Sequence, residues 1–482
     1  MSARIAPTRT PGSAGLVGAS PDFEADCNQL RQGSSEIRIY FFGEPGRPEQ
    51  WHPRFDLFVN TRFMKVLFLT MWYPNPQNPV SGTFVHEQAE FLRQEGVDVR
   101  VMQPLPMAPF PLTLFKNSYR ALAAVPDEEN YAGHPVYHPR YLTLPGHRLY
   151  QRVGDWMYHG IRSRIESLYR EWPFDIIHAH ATYPCGYAAN RCRDELFPQV
   201  KVMHTIHRTC IIDAPNYNRA CFEKVCTGLE GADFNVFVSG QGMRLGLEYT
   251  EGRIAERSQY ITNGVNTEKF SLSDAELQEV QALKAAHADT WNLVFVGYLK
   301  EVKGIKELLE ATQNLVAHGQ RKLRLFLVGD NQLGAYVDDY LAANGLEDVV
   351  VRVGAVPHQR VKIWMRFASA FILPSHSEGT PTVLFEALFV GAPSIFTQVG
   401  GVGDIVTDGQ EALLIPPRSV AAIEAAVATL MDDPRLCQQL AARGHELIKN
   451  QFTWMLNAQT HVGVYQRLLG LGAVKRKNLE YA

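Results

Sequence analysis

Cysteine is scarce and scattered. Seven occur in 482 residues, at positions 27, 185, 192, 210, 221, 226 and 437, and no C-x-x-C pair is present. An odd count without paired spacing argues against a disulfide framework and against a zinc ribbon, and it suits a reducing compartment, so the expected location is the cytoplasm. Cys221 and Cys226 have no Cys/His pair nearby to complete a metal site and are expected to be structural. No apolar run approaches the roughly 18 residues that a membrane-spanning helix requires. Basic residues do not exceed acidic ones, 47 against 50 for a net charge of −3, so no bulk positive charge points to a nucleic-acid partner. A G-x-x-x-x-G-K-[ST] loop is absent, which argues against a P-loop ATPase.

What is present is ordinary globular composition, 46% hydrophobic and 20% charged, in a chain long enough for two or three domains with proper cores. Residues 1–63 differ from the rest: MSARIAPTRTPGSAGLVGASP is rich in Ser, Pro, Gly and Arg without sustained periodicity or the apolar core of a signal peptide. They are expected to form a disordered extension, with ordered structure beginning near Met64; a targeting arm is the alternative.

From Met64 onward, short apolar runs alternate with helix-length amphipathic stretches. KVLFLT (65–70), DVRVM (98–102), FDIIHAH (174–180), VKVMHT (200–205), FNVFV (234–238) and QYIT (259–262) form a first set of expected strands. NLVFVG (292–297), LRLFLVG (323–329), VVVRVG (349–354), AFILP (370–374), PSIFT (393–397) and ALLI (412–415) form a second. Continuous apolar strands separated by helices indicate parallel sheets covered on both faces, so the fold class is α/β with two doubly wound, Rossmann-like domains. The expected partition is 64–265, 266–451, and a tail 452–482 whose helix returns to the first domain with Phe452, Leu456, Val462 and Tyr465 packing inward. Sites in such sheets lie beyond the carboxyl ends of the strands.

SEGTPTVLFEAL (377–388) stands at such a place, after AFILP. Thr380 is expected as the N-cap and Pro381 as the first residue of a helix, whose free N–H groups would suit an anion. Glu378 precedes the turn, and Glu386 falls about 9 Å along the helix, among Leu384, Phe385, Ala387 and Leu388. A carboxylate beside a phosphate would repel it, so these two are suited to accept hydrogen bonds from hydroxyls of the same ligand. Phosphates in the middle and polyols at both ends describe a nucleotide-diphosphate sugar. Glu378 would hold the sugar and Glu386 the ribose. The plainer reading, two glutamates on a partly exposed helix, leaves a carboxylate in apolar surroundings at a cost.

The stretch HSEGTPTVLFEALFVGAPSIFTQVGGVGDIVTDG (376–409) resembles the E-x7-E region of retaining glycosyltransferase family 4, enzymes of the GT-B architecture. Further similarity runs in order through SGTFVHEQAEFL (81–92), DIIHAH (175–180), TIH (205–207), ADFNVFVS (232–239), ITNGVN (261–266), VGYLKEVKG (296–304), LVGD (327–330), LPSHSEG (373–379) and the FTW helix, covering about 64–470. The resemblance implies two facing domains with a cleft between them and a C-terminal helix crossing back to the first. It implies catalytic roles for Glu378, Lys303 and His207: Glu378 at the transferred sugar, Lys303 at the diphosphate, His207 in the cleft near the sugar. Donor binding would fall to Gly82, Tyr298, Gly379, Thr380, Pro381, Thr382, Val383 and Glu386. Tyr298 stands where the family often has an arginine, and brings no charge. Asp404 stands where glutamate is commoner.

The implied activity is hexosyl transfer from a nucleotide-diphosphate sugar, UDP-linked in preference to GDP-linked, to a hydroxyl of a glycan or lipid-linked acceptor in cell-surface polysaccharide synthesis. No cofactor and no metal is expected, since no D-x-D follows a strand; Asp338-Asp339 and Asp432-Asp433 fall in helical or turn sequence. His178, His180, His204 and His207 follow one another on different strands without carboxylate or cysteine partners at ligand spacing; His178 and His180 are expected to pack or to lie in loops. SGQGMRLG (239–246) imitates a dinucleotide fingerprint but follows the fifth expected strand, the wrong place for one. The apolar segment 104–126 lies beside Arg140, Arg148, Arg152, Arg162, Arg164 and Arg170, opposed in the same span by Asp155 and Glu166. Two readings stay open: peripheral docking on the anionic inner face of the membrane, or a folded loop beside a solvated helix. Two other activities also stay open, a nucleotide-sugar epimerase on the same fold and a catalytically silent nucleotide-sugar binder.

Overall fold

The computed structural model describes residues 63–79, 81–107, 117–144, 149–319 and 322–471, together with the backbone of two strands, Glu36–Phe42 and His52–Phe58. The remainder of the expected disordered extension lies outside the described residues, as do 108–116 of the apolar segment, Arg148, and the tail beyond 471. The chain divides into two units, Met1–Met64 and Lys65–Ala482. In the first, the two strands pair antiparallel with Glu36 opposite Phe58.

The second unit contains two parallel sheets. The first is built from β1 (Lys65–Thr70), β2 (Asp98–Met102), β3 (Glu128–Tyr131), β4 (His134–Tyr137), β5 (Ile176–His180), β6 (Lys201–Ile206), β7 (Phe234–Phe237) and β8 (Ser258–Tyr260), in the order β8-β7-β6-β5-β1-β2-β4-β3. The second is built from β9 (Trp291–Val296), β10 (Leu323–Val328), β11 (Val350–Gly354), β12 (Ala370–Leu373), β13 (Ser394–Thr397) and β14 (Leu413–Ile415), in the order β11-β10-β9-β12-β13-β14. All twelve expected strands are present, their ends shifted by at most two residues.

The unexpected pair, β3 and β4, extends the first sheet as an antiparallel hairpin beyond β2. Its strands are short, and their sequence EENY and HPVY carries no continuous apolar run. This hairpin also changes the electrostatics of the basic stretch. Arg164 bonds Glu128 at 2.6 Å and Arg140 lies 3.8 Å from Asp127, while Arg162 and Arg170 both face Glu166. Acids from earlier in the chain are thus folded onto arginines that the linear sequence leaves opposed by two carboxylates alone.

The central strands are buried on both faces. Val66, Leu67, Phe68 and Leu69 have no exposed surface, which is what doubly covered parallel strands require. Two clusters pack side by side over one face of the first sheet, one around Met157, Ile161, Ile165 and Ala188 and the other around Val225, Leu229 and Phe237. The second sheet has its own core around Phe295, Phe326, Phe371 and Phe396.

Each sheet has one point where the chain reverses its direction of growth: between β1 and β5 in the first, and between β9 and β12 in the second. Crevices at the carboxyl ends of strands form at such points. Three helices border these crevices or join the two sheets: α1 (Thr83–Gln94), α2 (Thr382–Phe389) and α3 (Trp454–Leu468).

The chain passes from the second sheet back to the first along α3. Its buried residues are Trp454, Asn457, Ala458, His461, Val464 and Tyr465, so Tyr465 packs inward as expected. Leu456 does not, being 37% exposed, and Phe452 and Val462 are partly buried. The inward face mixes apolar with polar side chains, and the polar ones meet polar groups: Asn457 and His461 bond Gln88 of α1, Asn457 donates to the Thr262 carbonyl, and Tyr465 bonds His178. An apolar-periodicity reading misses a face of this kind.

Candidate functional site

The loops after β9 and β12 are adjacent because of the switch between those strands, and they carry Lys303 and Glu378. A turn of 3-10 helix, Glu301–Lys303, ends at Gly304 with φ of 70°. A Cβ at Gly304 would lie 2.0 Å from the Pro374 carbonyl oxygen, so glycine alone lets the two loops touch. The result is an ion pair: Lys303 Nζ lies 2.6 Å from Glu378 Oε1, and the same oxygen accepts from Ser375 Oγ at 2.6 Å. Ser375 is fully buried. The main chain after Glu378 is braced from behind by the Gly401 N–H, which donates to the Gly379 carbonyl at 2.6 Å.

The helix after this turn begins one residue later than expected. Pro381 is its N-cap and Thr382 its first residue. Thr380 caps nothing; its Oγ1 donates to the Val238 carbonyl at 2.7 Å, across to the loop after β7 of the first sheet. The hydroxyl has a choice between its own helix and a buried carbonyl in the facing domain, and the second bond relieves a desolvated acceptor. With Pro at the cap, the N–H groups of Thr382 and Val383 open the helix.

Glu386 sits on α2, 5% exposed. Its Oε1 lies 3.0 Å from His358 Nε2, and its Oε2 is buried with no hydrogen-bond partner. His358, which follows β11, packs edge-on against Phe270. The adjacent carboxylate raises the imidazole's pKa above its ordinary value, against the opposing effect of burial. Sequence reasoning misses His358, because nothing local to it announces a carboxylate 28 residues away.

From the first domain, Gly82 is the N-cap of α1 with φ of 62°. A Cβ there would lie 2.3 Å from the Trp72 carbonyl carbon and oxygen. Its glycine is therefore explained by the loop after β1 as well as by any ligand. His207 follows β6, half-buried between Phe84 (ring centres 5.0 Å) and Trp72 (5.6 Å, perpendicular). Burial lowers its pKa to about 4, so it is neutral at physiological pH. Tyr298 follows β9, 41% exposed, with the Lys300 ammonium 5.0 Å from its ring centre. A cation therefore stands beside the tyrosine.

The two domains are pinned at several points besides Thr380. Arg208 Nε donates to Ser377 Oγ at 3.0 Å and pairs with Asp213. The Gly240 N–H donates to Asp404 Oδ2 at 2.7 Å. This accounts for the fingerprint-like SGQGMRLG: Ser239 caps the helix Gly240–Tyr249, Gly240 admits the Asp404 carboxylate, and Gly246 makes room for the Phe237 ring. Glu87 of α1 bonds Asn266 at 2.6 Å and pairs with Lys269. Lys303, Glu378, Glu386 and the start of α2 are thus grouped on the second domain, and Gly82 and His207 on the first. A cavity of about 480 Å³ runs along β10, β11 and the helix Tyr336–Asn344, lined by Leu299, Gly329, Asp330, Leu341, Val350 and Ala355 among others. Among the described residues, no group of three or more His, Cys, Asp or Glu side chains is arranged to hold a metal ion, and no helix is long and apolar enough to cross a membrane.

Two family models match in succession, one for each domain: Glycosyltransferase Family 4 over residues 81–269 and Glycosyl transferases group 1 over 279–447. The chain is a glycosyltransferase of the GT-B fold. It is 29% identical over 407 residues to a protein of Bacillus subtilis named as a teichuronic acid biosynthesis glycosyltransferase, covering 84% of this chain and 98% of that one. It is 27% identical over 195 residues to a capsular polysaccharide biosynthesis glycosyltransferase of Staphylococcus aureus, covering 40% of this chain and 50% of that one. Among solved structures, the sucrose-phosphate synthase of Thermosynechococcus elongatus superposes with a TM-score of 0.66 at 18% identity, covering 84% of this chain and 99% of that one. The Anabaena protein HepE in complex with UDP superposes with a TM-score of 0.64 at 15% identity, covering 84% and 100%.

Proposed function

We propose that the protein is a retaining glycosyltransferase that moves a sugar from a nucleotide-diphosphate donor to a hydroxyl of a glycan or lipid-linked acceptor, in the assembly of a cell-surface polysaccharide. The observation that carries this reading is the grouping of Lys303, Glu378 and Glu386 around the start of α2 at the switch point of the second sheet. The buried, unpartnered Oε2 of Glu386 is an acceptor for a ribose hydroxyl. Lys303 and the N–H groups of Thr382 and Val383 supply positive potential for a diphosphate. Glu378 offers acceptors for sugar hydroxyls, and binding would draw Lys303 from Glu378 toward the phosphates.

In the reaction, the bond from the sugar's C1 to the diphosphate oxygen breaks and the acceptor oxygen bonds to C1 on the same face. The acceptor's proton passes to the leaving phosphate, and a nucleoside diphosphate departs. Stabilising the charge that grows on the leaving group is the protein's main contribution. The names of the Bacillus and Staphylococcus relatives support a polysaccharide product, and HepE, solved with UDP and with UDP-glucose, supports a UDP-linked donor over a GDP-linked one.

The test is release of free nucleotide from a panel of UDP-, GDP- and ADP-sugars, in EDTA, with a lipid-linked glycan extract as acceptor. Acceptor-dependent release from one donor, abolished in Glu378→Ala, is expected, with the product's anomeric configuration matching the donor's by NMR. Donor turnover without acceptor would instead fit an epimerase, and donor binding without any turnover a silent binder. An inverted product would overturn the retaining mechanism.

A further inference from the structure

A row of imidazoles runs through the first domain from α3 to the cleft. His461 and His178 stack with ring centres 5.7 Å apart, and His178 and His180 at 4.7 Å. The last pair, His180 and His207, differs. Its rings are nearly coplanar, 14° apart with centres at 5.7 Å, and His180 Nδ1 lies 3.4 Å from His207 Nε2. They meet edge to edge, in the geometry of a ring-to-ring hydrogen bond. The inner members are anchored: His178 bonds Tyr465 at 2.7 Å and Thr205 at 2.6 Å.

The direction of the His180–His207 bond is set by an orphaned atom. His180 is 1% exposed, and its Nε2 is buried with no hydrogen-bond partner. A neutral imidazole has one N–H and one bare nitrogen. Burial holds His180 neutral, its pKa well below the ordinary value, with His207 adding to the effect. An N–H at the orphaned position would be buried and unsatisfied, a rarer and costlier arrangement than an unused lone pair. The proton therefore belongs on Nδ1 of His180, which donates to Nε2 of His207. His207, also neutral, must then carry its own proton on Nδ1, and among the described residues no hydrogen bond takes up that nitrogen.

We propose that His180 is a positioning residue that fixes His207 in the Nδ1–H tautomer, so that His207 meets the bound sugar as a hydrogen-bond donor and not as a base. This rests on the placing of His207 in the donor-sugar site. The role accords with a reaction in which the acceptor's proton leaves on the phosphate.

The experiment is 15N NMR of the full chain with 15N-labelled histidine, resonances assigned by single-site variants, together with steady-state kinetics. The expected spectrum has His207 protonated on Nδ1 and bare on Nε2. In His180→Phe, which keeps an aromatic ring but removes the donor, His207 should become a mixture of tautomers and kcat should fall about tenfold, with donor KM changed by less than about threefold. His180→Asn, whose amide can donate from nearly the same place, should restore the Nδ1–H tautomer and part of the turnover. A wild-type His207 protonated on Nε2 would overturn the proposal, and so would an unchanged His207 spectrum in His180→Phe. If that variant fails to fold, the wild-type spectrum and His180→Asn still decide. His207→Ala with undiminished turnover would overturn the placing of His207, a failure distinct from that of the tautomer.

Discussion

His358 Nε2 and Glu386 Oε1 lie 3.0 Å apart, and this one contact leaves the second oxygen of a buried carboxylate free. A charged group on an apolar helix is tolerable when it is hydrogen-bonded. The pair therefore satisfies one oxygen of the buried carboxylate while Oε2 stays available to a ligand. Glu386→Gln is expected to weaken donor binding at least tenfold, a loss of about 1.4 kcal/mol or more, because a carboxylate accepts more strongly than an amide. Calorimetric titration with the preferred nucleotide sugar checks it; unchanged affinity with an intact fold would remove Glu386 from the ribose role.

Lys303→Gln should lower kcat on the order of a hundredfold or more, since it removes a fixed cation from the leaving group. Lys300→Ala should act more on donor KM, by a few fold, because Lys300 stands beside the uncharged Tyr298 at the mouth of the same loop. Kinetics of both variants separate the two roles. Equal effects of both on kcat would contradict the assignment.

Thr380→Val removes the donor that satisfies the Val238 carbonyl while keeping the side chain's shape. The expected cost is about 1–3 kcal/mol, seen as a lower thermal midpoint, together with a raised donor KM because the Glu378–Thr380 turn loses its tether to the first domain. Thr380→Ser should recover most of both.

Stability should fall as pH falls from about 6.5 toward 4. His207 and His461 have pKa values lowered to about 4 by burial, and His204 to about 3. Between those values and the ordinary one near 6.5, the unfolded chain binds protons that the folded chain refuses, so acidification favours unfolding. His358 runs the other way: its raised pKa gives stability that is full below pH 6.5 and is lost as pH rises through the folded value. With a half-exposed side chain, it is screened by solvent and should be outweighed. Urea midpoints at about pH 7 and about pH 5 measure the net effect. His358→Gln should narrow its stability gap to wild type as pH rises above neutral.

Removing residues 1–63 should leave the thermal midpoint and turnover unchanged, since Lys65–Ala482 forms a unit by itself. Loss of folding in that truncation would show the extension to be structural.

Twelve of the strands, the α/β class and the place of the candidate site are legible in the sequence because each has a local cause. KVLFLT and NLVFVG are continuous apolar runs, which buried parallel strands demand. Glu378 can be picked out because it comes just after such a strand, and Lys303 through the family resemblance of VGYLKEVKG (296–304). Thr380 reads as a cap because capping is a local rule, whereas its hydroxyl bonds a carbonyl 142 residues away. Leu456 reads as inward-facing because it is apolar, whereas α3 turns Asn457 and His461 inward against Gln88, beside Trp454, Ala458, Val464 and Tyr465, and leaves Leu456 on the outer face.

The sequence by itself determined the twelve continuous apolar strands and the two glutamates with their turn, since these depend on residues close along the chain. The tertiary structure decided the partners: Lys303 on Glu378, His358 on Glu386, Asp404 on Gly240, His180 on His207. Which groups meet across a crossover connection or a domain boundary is set by how the sheets stack and close. No periodicity in the chain records that.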